Sequence, residues 1–236
     1  MPLVRSPGTQ RDPYSVAARA RSVLACPAAA DLRRDGLPVD LAEEVLGLDD
    51  DSGRPTLLCR ADAALLTAAA RREVVSLHLV GGVDTGDPAR ADRLHLTGRL
   101  APGVSERCGS CPEEHRVAVL EPSAVVLTVR GRATPVPVAD FLSEEHVLNR
   151  GYLTRAAQHA TTCHGEELRR AVSRRTGLPP ARLLAASLGA LTPAGVDLRW
   201  IDAEGSHSER VRFSPPAANP AELGELLRRH LDGGVC

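Results

Sequence analysis

Residues Gly195 to Leu231 read GVDLRWIDAEGSHSERVRFSPPAANPAELGELLRRHL, and this stretch decides the fold. Val196, Leu198 and Trp200 alternate with polar or charged residues. A turn at AEGSH follows, and Val211 and Phe213 then alternate again. That is the pattern of a β-hairpin with one buried face. Ser214-Pro215-Pro216 ends the second strand, because proline cannot donate to a ladder. Asn219 is placed to cap a helix with Pro220 in its first turn and Leu223, Leu226, Leu227 and Leu231 along one side. The hairpin's apolar face needs a cover, so residues 152–231 are expected to form one compact module. Trp200, Val211 and Phe213 should point toward its helices.

Working outward, residues 144–175 read as helix, broken near Asn149-Arg150-Gly151. A further helix is expected over 180–190, after Gly177-Leu178-Pro179-Pro180. Residues 35–140 differ. Short apolar runs at Thr56–Cys59, Val74–Val80 (VVSLHLV), Arg93–Leu100 (RLHLTGRL), Val125–Val129 and Thr134–Val138 read as strands. Pro135 and Pro137 confine the last run to an edge. Loop and helix material is expected over 101–122, and 37–48 fits strand or helix equally. In RLHLTGRL, Leu94, Leu96 and Gly98 share one face, and His95 and Thr97 the other. One early helix (14–26) is expected to turn Val16, Ala20, Val23 and Leu24 inward, and a second is expected to be capped by Asp62. Without βαβ alternation, this half reads as a small antiparallel barrel. The overall class is α+β. The expected divisions are a flexible arm at 1–13, a barrel domain at 14–145 and an α/β module at 146–236.

The totals exclude several functions. The 236 residues carry a net charge of −1 and only 2% aromatic residues. That argues against nucleic acid as a partner. All 29 basic residues are arginine. Lysine Schiff-base chemistry and a P-loop lysine are therefore excluded. No apolar run approaches about 18 residues, and MPLVRSPGTQRDP lacks an apolar signal core, so the expected location is cytoplasmic, with no membrane partner. Six irregularly spaced cysteines fit reduced thiols.

Three sequence segments carry a resemblance. They are Ala156-Ala157-Gln158-His159 through His164, SLGALTPAGVDLRW (187–200) and RVRFSPPAANPAELGELLRRHL (210–231). Together with the element order helix, helix, hairpin, helix, they resemble the C-terminal domain of unknown function in HugZ-type haem-degrading proteins. A similar module occurs in the plastid protein that binds glutamyl-tRNA reductase. Where that family reads like His-Met-Asn-x-Asp-His, this chain has His159-Ala160-Thr161-Thr162-Cys163-His164: the histidines keep their spacing, while the asparagine and aspartate are replaced. The strand pattern of 35–140 is similar to the pyridoxamine-phosphate-oxidase-like, FMN-binding split barrel. The resemblance implies a split β-barrel followed by an α-α-β-β-α module, a homodimer with sites at its interface, and a haem or related tetrapyrrole as ligand. Haem-oxygenase-like degradation is the activity implied if the chain is an enzyme. The alternatives are an FMN-dependent oxidoreductase and a non-catalytic interaction protein that has lost the cofactor site.

The candidate residues follow from those ligands. An FMN phosphate needs fixed cationic and hydroxyl donors, for which Arg60, Arg71, Arg72 and Ser76 are the candidates. Haem needs an axial ligand, and His78 and His95 on adjacent predicted strands are the candidates. Its propionates would be met by Arg60, Arg71, Arg93 and Arg99 near strand ends, and its faces by Val74, Leu77, Leu79, Leu94 and Leu96. His159 and His164, about 140° apart on an intact helix, could not share a metal, whereas Cys163 falls on the face of His159. Cys108-Gly109-Ser110-Cys111, followed by His115, has the bite of a metal or redox pair but no fourth ligand nearby. Loop thiols without a structural metal are the expectation. Asp49-Asp50-Asp51-Ser52-Gly53 reads as a solvated turn, since it lacks the ligand spacing of a calcium loop.

Overall fold

A computed structural model describes residues 15–83, 90–104, 106–107 and 114–231. The arm at 1–13 and the Cys108–Cys111 pair lie outside the described residues. Helix α1 (Val16–Ala25) starts at Ser15, whose Oγ accepts from the Ala18 N–H at 3.1 Å. Its inner stripe is Ala17, Ala20, Val23 and Leu24. Val16, expected inward, is 44% exposed. Next come β1 (Pro27–Arg34), β2 (Leu37–Val39), the short α2 (Leu41–Glu44), β3 (Val45–Asp51), β4 (Arg54–Cys59) and α3 (Ala64–Ala70). The barrel half is completed by β5 (Val74–Gly81), β6 (Arg93–Pro102), β7 (Glu106–Arg107), β8 (Glu114–Val129), β9 (Arg132–Pro135) and α4 (Val138–Phe141).

These strands form one curled, antiparallel half-barrel in the order β2-β1-β5-β6-β8-β4-β3, with β7 and β9 also paired to β8. The fold is α+β, as the alternation implied. Leu32, Leu57, Leu77, Leu79, Leu94, Leu96, Leu100, Leu120 and Leu127 fill the concave side, each at most 1% exposed. Helices α1 and α3 plug it with Ala20, Leu24, Leu65 and Ala68.

Three local features depart from the sequence reading. Residues 27–34 form a strand that no alternation announced. Much of 101–122 belongs to strands β6 and β8 rather than to loop and helix. Pro122 of β8 sits opposite Gly98, where the register shifts, so its missing N–H is tolerated. A Cβ on Gly98 would lie 2.0 Å from the Glu121 carbonyl, so only glycine permits this approach. Finally, Asp62 does not cap α3. The N-cap is Ala63, and the Glu44 carboxylate accepts from the Leu65 N–H at 2.8 Å instead.

The aspartate turn does more than meet solvent. The Arg21 guanidinium, 1% exposed, pairs with Asp50 at 2.9 Å and donates to the Phe141 carbonyl at 3.2 Å. Asp50 also accepts from the Gly53 N–H at 2.7 Å. One arginine therefore ties α1, the β3–β4 turn and α4 together. Burial holds the Asp50 carboxyl above its usual range despite the opposing pull of Arg21.

The C-terminal half has its own core. Helix α5 (Arg150–Cys163) starts at Asn149, whose Oδ1 accepts from the Tyr152 N–H at 2.9 Å, and α6 (Gly165–Thr176) follows directly. Residues 180–182 make a single 3-10 turn. The rest of the expected 180–190 helix is strand β10 (Ala185–Thr192), which pairs with β11 (Gly195–Asp202). The hairpin partner β12 (Gly205–Arg212) and helix α7 (Pro220–Leu231) complete the half. The module thus has a three-stranded sheet, β10-β11-β12, covered by α5, α6 and α7. Val211 is 2% and Phe213 4% exposed, and Trp200 packs at the edge of the same core. Asn219 caps α7 through a reciprocal bond pair with Glu222, each at 2.9 Å. Among the described residues, no helix is long and apolar enough to cross a membrane.

Candidate functional site

Strands β5 and β6 pair so that His78 lies directly opposite His95. The leucines at 77, 79, 94 and 96 face the core, so period-2 alternation sends both imidazoles to the outer face of the sheet. There His78 Nδ1 and His95 Nδ1 are 3.0 Å apart, and His95 Nε2 is 3.1 Å from Thr97 Oγ1. Ser76 Oγ reaches the same hydroxyl at 3.5 Å. The rings meet edge to face, with centroids 4.1 Å apart. Burial, and secondly the His78 imidazole beside it, pull His95 below the ordinary histidine value.

The histidines floor an open cleft of about 500 Å³ lined by Ala29, Ala30, Asp31, Arg33, Val80, Arg93 and Thr128 among others. Asp31 of β1 stands opposite His78, and Arg33 opposite Ser76. The Arg33 guanidinium holds the Asp31 carboxylate at 2.9 Å. Arg93, on the other flank, is exposed. Sequence reading missed Asp31 and Arg33, because their strand was itself missed. The only available signal was Leu32 between two charged residues.

The other candidates fall elsewhere. Arg71 and Arg72 sit before β5, four or more residues along from His78, which is at least about 13 Å of strand. They pair with Glu73 at 3.9 Å and Glu121 at 2.5 Å. Arg99, opposite Val74 at that same end, donates to the Arg72 carbonyl at 3.2 Å. Arg60 is exposed after β4, beyond the far part of β8. Of the named set, the structure gathers His78, His95 and Ser76, with Arg93 beside them. The expected apolar slot is also relocated: Leu77, Leu79, Leu94 and Leu96 point into the barrel core, and the cleft takes its apolar surface from Ala29, Ala30 and Val80. A second cleft of about 500 Å³, between β4 and β8, is lined by Asp51, Arg54, Thr56 and Glu121 among others, with no histidine among the described residues that line it.

In the module, α5 ends at Cys163, so the intact helix assumed for His159 and His164 is not there. His164 joins two helices, and the two rings come to 5.3 Å. His164 Nε2 is buried with no hydrogen-bond partner among the described residues, and Cys163 is an exposed free thiol. His207 stacks over Trp200 at 5.4 Å and lies 2.9 Å from the Asp202 carboxylate. Among the described residues, no three histidine, cysteine or acidic side chains converge as a metal-binding group. Burial pushes the barrel thiol Cys59 up to about 11.

No protein-family model matches this sequence, and no curated protein matches it. Among solved structures, the chain is similar to the heme binding protein from Mycobacterium smegmatis, at 19% identity, covering 98% of this chain and 100% of that one, with a TM-score of 0.44. It is also similar to protein Atu2129, of unknown function, from Agrobacterium tumefaciens, at 18% identity, covering 97% and 100% of the two chains, with a TM-score of 0.45.

Proposed function

We propose that this protein binds haem or a related tetrapyrrole on the outer face of the half-barrel. The observation that carries the reading is the open cleft floored by His78 and His95 and flanked by Arg33 and Arg93. The residues fit the group. Haem needs a Lewis base, supplied by an imidazole held on a rigid strand pair. It needs apolar contact, supplied by Ala29, Ala30 and Val80. Its propionates need cations, and Arg93 and Arg33 are planar bidentate donors. Bound haem would itself supply any oxygen chemistry. The chain's own residues hold it, orient it and shield one side from water. A second copy of the chain closes the open side in this reading, which makes the working form a homodimer. The division of labour follows the expected boundary, with the barrel through residue 145 as ligand-binding unit and the module from 146 as its support.

Absorption spectroscopy of the purified chain titrated with haemin tests this. Saturable growth of a Soret band at one haemin per chain is expected, lost when both His78 and His95 are replaced by alanine. A parent protein with no saturable binding, or a double variant that binds equally well, overturns the reading.

A further inference from the structure

We propose that His78 and His95 act together as a bidentate site for a bare divalent transition-metal ion, and that Cu2+ is the ion the site is shaped for. The two Nδ1 atoms are 3.0 Å apart. Their ring centroids are only 4.1 Å apart, with the planes at 85°. Two imidazoles joined end to end cannot come that close, so at least one Nδ1 is directed off the line between the nitrogens; in the free protein one Nδ1–H donates to the other, and a bound ion takes the place of that proton. An ion placed off that line, at a metal–nitrogen distance of about 2.0–2.1 Å, would subtend an angle of about 95°. That is the cis angle of a tetragonal or octahedral centre and falls well short of the roughly 109° preferred by zinc. Imidazole is a good ligand for copper, and Cu2+ stands highest in the divalent affinity order.

The surroundings prepare the pair. Thr97 Oγ1 lies 3.1 Å from His95 Nε2. A proton on Nε2 donated to that hydroxyl leaves Nδ1 bare, which is the support metal-bound histidines usually have. The two rings project from directly opposed positions on strands whose other face is packed core, so the bite is fixed by the sheet. No third protein ligand joins them among the described residues. The remaining positions open into the cleft, where water or a small ligand can complete the shell. This makes the ion exchangeable rather than structural. The site goes beyond the tetrapyrrole reading and does not rest on it. Haem iron needs one imidazole, the chelate needs both, and the two occupants exclude each other.

The test is a titration of the full-length protein with Cu2+ alone, followed by electron paramagnetic resonance and calorimetry. One equivalent with a tetragonal spectrum and two coupled nitrogens is expected. His78→Ala and His95→Ala should each weaken binding at least about a hundredfold, because the second imidazole acts at high effective concentration. Thr97→Val, which preserves shape, should weaken it about tenfold through loss of the outer hydrogen bond. Zn2+ should bind more weakly than Cu2+. Undiminished Cu2+ affinity in both histidine variants overturns the proposal, as does tighter binding of Zn2+. A parent that takes Cu2+ but no haemin overturns only the tetrapyrrole reading. The reverse result overturns only the chelate.

Discussion

The half-barrel and the C-terminal module both place histidines on antiparallel strands, yet use them differently. In the module, helices cover one face of the sheet, and His207 on that face is absorbed into packing against Trp200 and a bond to Asp202. His230 lies over Phe213 in the same core, with ring centroids 5.5 Å apart. In the barrel, the helices go inside the curl, which leaves the convex face without a covering helix among the described residues. His78 and His95 stand on that face and touch mainly each other and Thr97. The residue type is the same in both regions. Which side of the sheet the helices choose decides whether an imidazole becomes structure or remains available to a ligand.

The comparison rests on two cores that can be perturbed separately. Trp200 is the one tryptophan of the chain and belongs to the module core, so its fluorescence reports that half. Phe213→Ala should cost about 3–5 kcal/mol, because it empties a buried site between the sheet and α7. Arg21→Ala leaves Asp50 buried without its ion partner and should cost a similar 3–5 kcal/mol in the barrel. In urea, Phe213→Ala should move the tryptophan transition strongly, whereas Arg21→Ala should move mainly far-ultraviolet circular dichroism. Coincident shifts of both signals in both variants would show that the two cores unfold as one.

The part of this arrangement that was legible in the sequence is the part governed by short-range pattern. VVSLHLV and RLHLTGRL alternate cleanly, so the opposed faces of Leu77 and His78, and of Leu94 and His95, followed at once. The capped helix after Asn219 did too. Three features were hidden because distant contacts override local preference. The alanine- and leucine-rich run near 183–191 favours helix by propensity, but pairing with β11 makes it a strand, with Thr161 Oγ1 accepting from the Leu188 N–H at 3.1 Å. Pro27 and three alanines disguise β1, and with it Asp31 and Arg33. Pro122 disguises the continuity of β8, since nothing local announces that Gly98 lies across from it. The site was therefore half legible: its histidines came from alternation, its acidic and basic flank from an unseen strand.

Where the two cores meet, α5 crosses α1 at a glycine. A Cβ on Gly151 would lie 2.0 Å from the Ser22 carbonyl, so the helices touch there backbone to backbone. Arg155 one turn on adds a bond to Asp49 at 2.6 Å. Gly151→Ala should force the helices apart and cost about 1–3 kcal/mol. It should also lower the coupling between the tryptophan and circular dichroism transitions. A variant as stable as the parent, with the transitions unchanged, would mean that the close approach is not maintained in solution.

The smallest expected effect concerns the absorbed histidine. Asp202 Oδ1 accepts from His207 Nε2 at 2.9 Å and from the N–H groups of Glu204 and Gly205 at 2.8 and 3.1 Å. The His207 bond first, then the turn's N–H groups, hold this carboxyl below its ordinary value. A carboxyl whose folded value lies below its unfolded value contributes stability that is fully present above the unfolded value. That stability is lost as pH falls through the folded one. Asp202→Asn keeps the shape and the accepting oxygen but has no charge to titrate. The parent should therefore be more stable than the variant near neutral pH, and the gap should close as the solution is acidified below the usual carboxylate range. Trp200, stacked on His207, gives the readout directly. A gap that stays constant across that range would mean the hairpin end is held by shape alone, and that His207 is no more committed to its sheet than His78 and His95 are to theirs.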